Sequence, residues 1–306
     1  MKVGIIIVTY NSEKDISRLL ESIVVQEYKN LVVYIIDNHS SDGTLKLIDD
    51  YKDRISLSIL LLKTNNGFAK GNNIGIQKAM DEGCDLLFIL NPDIQLDKKC
   101  IDILARRIKL DDKIGAVGPI VLIGNQPQNI TQAYGVNVNF KTQKKTDLFV
   151  NVKLTDELPA EIFVDFLLGG AMMIRSDVLK ITGLFEEDYF MYNDEIDIAY
   201  RIKSSGFRTL CMRDAMVWHY HDFNKKNKSG NNLMYYYMIR NKFLYFKKYH
   251  LYMNLFISVL IEFIYLPVKI IWAIRRTGNV KLIKYYYLGL WRGLIGETGK
   301  TRTEFI

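Results

Sequence analysis

The 306-residue sequence predicts an α/β domain on an open, mixed but mainly parallel sheet flanked by helices, with a basic helical segment behind it, and three observations carry that expectation. Short β-branched or apolar runs alternate with stretches of helical periodicity. Each run ends in a cluster of polar residues, where open parallel sheets collect their ligands. The charge is uneven: residues 233–306 hold 12 Lys and Arg against 3 Asp and Glu, so the net +7 sits in that tail and the preceding residues are close to balanced. The expected division is therefore 1–232 and 233–306.

Residues 3–9 form a continuous β-branched run that stops at Tyr10-Asn11-Ser12, read as a buried parallel strand followed by a helix cap. Ile16, Leu19, Leu20 and Ile23 then fall at helical spacing. A second strand, 31–37, ends in Asn38-His39-Ser40-Ser41-Asp42-Gly43 and leads to a short helix over 44–51. A strand over 56–62, a helix over 69–80 ended by Gly83, and a strand over 86–90 continue the alternation. Beyond Asp93 the pattern loosens. Residues 114–123 read as a strand, and 125–161 as a polar excursion or flap too thin in apolar residues for a core. Residues 163–174, interrupted by Gly169-Gly170, restore order, and a helix begins near Asn193 and closes at Gly206.

Composition excludes wholesale disorder, with 49% hydrophobic and 25% charged residues. Cys84, Cys100 and Cys211 are odd in number and lack C-x-x-C spacing, which argues against a disulfide framework or zinc cluster and for reduced thiols in the cytoplasm. The N-terminus enters its first strand directly after Lys2, without the layout of a signal peptide.

Three constellations carry chemistry. Asn91-Pro92-Asp93 closes an apolar strand and sets Asp93 at the mouth of the sheet, where a hard cation bridging a diphosphate needs a carboxylate; a turn and cap is the plainer explanation. Asp194-Glu195-Ile196-Asp197 puts three carboxylates in one first helical turn, more than capping requires, and one of them can take a proton from an attacking hydroxyl. Trp218-His219-Tyr220-His221 holds two of the four histidines, and His219 pairs with Asp93 as a candidate metal ligand, against the structural role usual for a strand-end histidine.

Read in order, Thr9-Tyr10-Asn11, Asp37-Asn38-x-Ser40-x-Asp42-Gly43-Thr44, Asn66-Gly67-Phe68-Ala69-x-Gly71-Asn72-Asn73-x-Gly75, Leu90-Asn91-Pro92-Asp93, Gly169-Gly170-Ala171 and Phe190-Met191-Tyr192-Asn193-Asp194-Glu195-x-Asp197 resemble the family 2 glycosyltransferases, in particular rhamnosyltransferase-like members of bacterial polysaccharide assembly. The likeness covers about the first 220 residues in unbroken motif order, and Tyr237-x-x-Arg240-Asn241-Lys242 and Gly289-Leu-x-x-Gly293 in the tail resemble theirs too. It implies the GT-A fold, inversion at the anomeric carbon, and Mg²⁺ or Mn²⁺. Carried over, Thr9, Tyr10 and Asn11 line the nucleoside with Asp37 and Asn38, Asp37 accepting from the base. Asn66, Gly67, Lys70, Asn73 and Asn91 lie along the nucleotide-sugar, Gly169 and Gly170 form a loop by donor and acceptor, Asp93 and His219 hold the metal, and Asp194-Glu195 supplies the base.

Two departures stand out. The family's metal motif is usually Asp-x-Asp, whereas a neutral Asn91 opens it here. The base motif more often reads Glu-Asp, which leaves Asp194 and Glu195 both as candidates, Glu195 favoured by position, with Asp197 behind them. The resemblance points to dTDP-rhamnose, or else a UDP-hexose or galactofuranose, as donor, and to a saccharide or lipid-linked saccharide acceptor. Two other readings compete: a nucleotide-sugar pyrophosphorylase, which wants a Gly-rich basic loop where Glu13 and Asp15 stand, and a non-catalytic carbohydrate-binding protein, which has no use for both acidic clusters.

In the tail, residues 251–273 are apolar but broken by Asn254, Glu262, Pro267 and Lys269. Basic residues flank both sides, Arg240, Lys242, Lys247 and Lys248 before and Arg275, Arg276, Lys281 and Lys284 after. That symmetry favours a segment lying in an anionic membrane surface, on the cytoplasmic face, over one that crosses it or binds nucleic acid. A single span, a homodimer through a helical pair, or a packing module are the alternatives.

Overall fold

The computed structural model describes residues 1–126, 129–167, 170–220, 228–265 and 281–301, with positions 268, 271 and 275. Gly169, His221, Pro267, Lys269 and Arg276 lie outside the described residues.

Strands β1 (Val3–Thr9), β2 (Leu31–Asp37), β3 (Leu57–Leu61) and β4 (Leu86–Leu90) alternate with helices α1 (Ile16–Val24), α2 (Thr44–Asp49) and α3 (Gly67–Asp81). The chain continues through β5 (Ile94–Leu96), α4 (Cys100–Lys109), β6 (Ile114–Ile123), β7 (Thr131–Ala133), β8 (Val136–Asn139), β9 (Lys144–Asp147), β10 (Glu161–Val164) and β11 (Ala171–Arg175). It then runs through α5 (Ser176–Thr182), a 3-10 turn (Glu187–Tyr189), α6 (Asp194–Ser204), β12 (Arg208–His219), α7 (Lys228–Lys248), α8 (Tyr252–Ile264) and α9 (Lys281–Ile295). The main sheet has the order β10-β12-β6-β11-β4-β1-β2-β3, with β5 on β12 and β7 on β6. The strands from β3 to β4 are parallel, as is β12 with β6, whereas β11 runs against both its neighbours, so the expected mixed α/β sheet with flanking helices is present.

The unbroken hydrophobicity of the central strands follows from their position, because both faces are covered. Ile5, Ile7, Val33, Ile35, Phe88 and Leu90 face α1, α2 and α4, while Ile6, Tyr34, Ile36, Leu87 and Ile89 face α3, α5 and α6. Small residues let α3 lie close to the sheet: a Cβ on Gly71 would stand 2.9 Å from Val8 Cγ1, and one on Gly75 2.4 Å from Ile36 Cδ1. That close approach delivers the N-terminus of α3 to the carboxyl ends of β1 and β2.

Several expectations change. The cap after β1 is looser than predicted: α1 starts only at Ile16, and the Ser12 amide donates to Thr44 Oγ1. Residues 125–161 contribute to the core after all, with Thr131, Tyr134 and Val136 fully buried, because short strands need few apolar residues when each inward one is covered. The basic flank before the apolar tail segment is largely used internally. Arg240 is fully buried, Lys247 donates to Leu294 O, and Lys248 pairs with Glu186 and Asp197. Among the described residues no helix is long and apolar enough to cross a membrane. Helix α9 packs along α7, with Gly289 against the Tyr236 carbonyl and Gly293 against that of Arg240.

Candidate active site

Strand register gathers the polar clusters at one edge. Thr9 aligns with Asp37 and Asp37 with Leu61, while Leu90 aligns with Ile7 and Ala171. The first pocket element is a network around Asp37. Its carboxylate accepts from Thr9 Oγ1 at 2.9 Å, Ser40 Oγ at 2.5 Å and the Ser40 amide at 2.8 Å. Asn11, in the left-handed region at φ 52°, ties the same turn down, accepting from the Ser41 amide and donating its own amide to Ser40 Oγ. The exposed Tyr10 ring stands beside this turn.

Asn38 reaches across to α3: Nδ2 donates to Gly67 O at 3.0 Å, and Oδ1 accepts from the Asn66 amide at 3.2 Å. Gly67 adopts φ 85°, and a Cβ there would lie 2.2 Å from the carbonyl oxygen of Phe190, whose acceptor role is filled by the Phe68 amide at 2.8 Å. Only glycine permits that contact and that φ together. Lys70 is half exposed and 4.0 Å from Glu187, and the buried Asn73 is engaged by the Phe185 backbone and Glu187.

Asn91-Pro92-Asp93 turns between β4 and β5. Gly170 O accepts from the Asn91 amide, and a Cβ on Gly170 would stand 2.9 Å from Asn91 Nδ2, so this loop lies directly on the tripeptide. Because β12 pairs with β5, His219 meets Ile94, and His219 Nε2 comes to 3.1 Å from Asp93 Oδ2. His219 Nδ1 is 2.8 Å from Gln132 Oε1, so the ring is held between Gln132 and Asp93. Adjacent ligands of an octahedral ion at about 2.1 Å are about 3 Å apart, which fits this pair. No group of three His, Cys, Asp or Glu forms a metal cage among the described residues. The donor set therefore suits an ion shared with ligand phosphates, the usual way Mg²⁺ is bound.

The acidic helix start emerges from an unusual backbone. Phe190, Tyr192 and Asn193 lie at φ 64°, 64° and 73°, a left-handed conformation that costs bulky residues roughly 1–2 kcal/mol apiece. The three carboxylates that follow have different surroundings. Asp197 is fully buried and saturated by Arg201, Lys248, Tyr249 Oη and Tyr189 Oη, which makes it a hub joining α6 to α7. Asp194 is also buried, but neither oxygen has a hydrogen-bond partner among the described residues. Burial first, and the neighbouring Glu195 second, hold its pKa well above the usual carboxylate range. Glu195 is half-buried, its pKa raised by desolvation and opposed by Lys145 on β9.

A family model for glycosyl transferase family 2 matches residues 4–178, more than half of the chain. The chain belongs to that family. It is 28% identical over 205 residues to the low-salt glycan biosynthesis hexosyltransferase Agl10 of Haloferax volcanii, covering 65% of this chain and 61% of that protein, so it spans less than two thirds of that relative. It is 24% identical to the dTDP-rhamnosyl transferase RfbF of Shigella flexneri over 97% of both chains. The fold is similar to that of GalNAc-T7 crystallised with UDP, GalNAc and Mn²⁺, at a TM-score of 0.64 and 16% identity, covering 81% of this chain and 48% of that one.

Within this family 2 chain, sequence reading singled out neither Gln132, Ser40 nor Arg240 and Asn241 as site residues. Ser40 stood in a quoted motif and Arg240-Asn241 in another, so both carried a signal; Gln132, in an irregular polar stretch, carried none.

Because burial raises the folded-state pKa of Asp194 above its ordinary 3.8, its protonated form adds stability that is complete below that value and lost as pH rises through the folded one. Asp194→Asn cannot ionise. At about pH 8 it is expected to be more stable than wild type by roughly 1–3 kcal/mol, an advantage that fades toward about pH 4 in thermal melts. A variant no more stable than wild type at the higher pH refutes the uncompensated burial.

Proposed function

We propose that the protein is an inverting glycosyltransferase that moves a rhamnosyl or other hexosyl unit from a nucleoside diphosphate donor to a hydroxyl of a growing, lipid-linked cell-surface saccharide. The observation that supports this is the contact of the Asn66-Gly67 turn with Phe190, through which the strand end at Asp37-Asn38 meets the segment leading into Asp194 and Glu195. Family membership and the rhamnosyl and hexosyl transfer named for the relatives support the choice of donor class.

The Asp37 turn and the exposed Tyr10 ring would receive the nucleoside, the carboxylate accepting a base N–H and the ring stacking on its face. Thr9 and Ser40 fix that carboxylate, and Asn38 and Asn11 hold the turn. Asn91, Lys70 and the Gly170 turn would border the diphosphate and sugar, and Asp93 and His219 would hold Mg²⁺ or Mn²⁺. A divalent cation there supplies positive charge against the departing diphosphate. Glu195 is the better placed base, since it is partly accessible whereas Asp194 is enclosed and Asp197 is saturated. It takes the proton from the acceptor hydroxyl, whose oxygen attacks the anomeric carbon from the face opposite the leaving group. A raised pKa suits a base working near neutral pH. Desolvation keeps that pKa raised against the opposing charge of Lys145.

We place the enzyme at the cytoplasmic face of an anionic membrane. Tyr252, Met253, Phe256, Phe263 and Ile264 of α8 are all more than half exposed, an apolar face that a lipid surface would cover.

Glu195→Gln is expected to lower kcat by about two to four orders of magnitude while nucleotide binding persists; unchanged turnover moves the base elsewhere. Asp93→Ala should abolish the Mn²⁺-dependent part of the melting shift given by UDP or dTDP, and a shift equal to that of wild type removes Asp93 from the metal site. The protein should sediment with vesicles of anionic phospholipid, and Phe256→Glu with Phe263→Glu should weaken this at least about tenfold, since a buried phenylalanine contributes roughly 1.5–3 kcal/mol. A chain that stays in the supernatant as a dimer by light scattering would assign α8 to self-association.

A further inference from the structure

We propose that Arg240 and Asn241 of α7 are positioning residues for sugar transfer, acting through the backbone of residues 188–192 to hold the acidic helix start against the donor turn. This rests on the reading above that Asp194-Glu195 supplies the base. Asn241 is fully buried, and the two hydrogens of its Nδ2 are shared among the carbonyls of Tyr189 at 3.0 Å, Met191 at 2.8 Å and Tyr192 at 2.8 Å. Its Oδ1 accepts from Arg240 Nε at 2.9 Å, so the two side chains form one rigid unit. Arg240, equally buried, donates from Nη2 to Tyr189 O at 2.9 Å and Asp188 O at 3.3 Å, and from Nη1 to Gly299 O at 2.6 Å.

Those carbonyls belong to the segment that departs furthest from ordinary backbone. A left-handed Phe190, Tyr192 and Asn193 persist only where surroundings over-determine them. Apolar packing cannot do so, because it is indifferent to where a carbonyl points; a fan of fixed N–H donors is not. Arg240 makes no ion pair with a carboxylate among the described residues, and a guanidinium buried in that way is a poor source of stability. Its fork geometry instead matches several carbonyls at once. The opposite side of the same segment accepts the Phe68 amide and abuts Gly67. Residues 188–193 are thus clamped between α7 and the donor turn, and they lead directly into Asp194. The chain end adds a second strap: the Gly299 amide donates to Asp188 O at 2.7 Å, the Thr301 amide to Tyr237 Oη at 3.0 Å, and Lys300 Nζ to Asn65 O at 3.5 Å.

Asn241→Asp keeps shape and volume but replaces the N–H donors with an oxygen that repels the same carbonyls, and Arg240→Lys keeps the charge but loses the fork. Both full-length variants are to be assayed with whichever of dTDP-rhamnose and a UDP-hexose supports wild-type turnover, alongside amide hydrogen exchange and UDP or dTDP binding. Asn241→Asp should lower kcat about 100-fold, the cost of misplacing a catalytic group by about 1 Å, and Arg240→Lys about 10-fold by the same displacement argument. Nucleotide affinity should stay within about threefold, exchange over residues 189–195 should quicken, and β1–β4 should keep their protection. Wild-type kcat in variants whose 189–195 segment exchanges faster overturns the proposal. So does loss of sheet protection together with activity in both, which makes the pair a folding element alone. The failure of the base assignment is separable, because full turnover in Glu195→Gln leaves these α7 readouts intact.

Discussion

The hydrogen bond from the Phe68 amide to the Phe190 carbonyl, 2.8 Å long, joins the two halves of the candidate site. One half is a parallel α/β unit whose strands end in Asp37, Asn66-Gly67 and Asp93. The other is the segment leading into Asp194. Their junction leaves no room for a side chain at Gly67, and Gly71 and Gly75 let α3 lie close to the sheet. A helix drawn that close brings its N-terminus to the strand ends, and a backbone contact then joins those ends to the segment before the acidic turn.

Electrostatics differs sharply along one helical turn. Asp197 is buried and stabilised by two cations and two hydroxyls, whereas Asp194, three residues earlier and just as buried, has no such compensation. Charge pairing explains the first as architecture, tying α6 to α7. The second is an expense that stability does not explain, since burying an unpaired carboxylate is unfavourable. Desolvation raises the proton affinity of both Asp194 and the neighbouring Glu195. Asp93, in the turn before β5, and His219, on β12, are candidate ligands brought together by the pairing of β5 with β12, with Gln132 beside the histidine.

Much of this was legible in the residues. Unbroken apolar runs and period-3.6 patterns placed β1 to β4 and α1 to α3 within a few residues, because burial on both faces of a parallel sheet removes the polar residues from its strands. The juxtaposition of Asp93 with His219 was anticipated from residue chemistry and resemblance. The short strands between 131 and 147 were not, since their inward residues are too few to leave a period. The internal use of the tail's basic residues was not legible either: Arg240, Lys247 and Lys248 count as basic flank in a sequence, and nothing local reveals that Arg240 is buried or that the two lysines reach Leu294 O and Asp197.

Sequence by itself determined the alternation of elements, the sheet edge at which polar residues collect, and the identity of the groups able to bind a cation or move a proton, because those follow from local periodicity and side-chain chemistry. Tertiary structure alone decided which carboxylate is compensated and which is not, the left-handed course of residues 190–193, and the role of Arg240 and Asn241 in fixing it. Each of these depends on partners 50 or so residues away in the chain meeting at hydrogen-bond distance, and such meetings leave no pattern in the neighbouring residues.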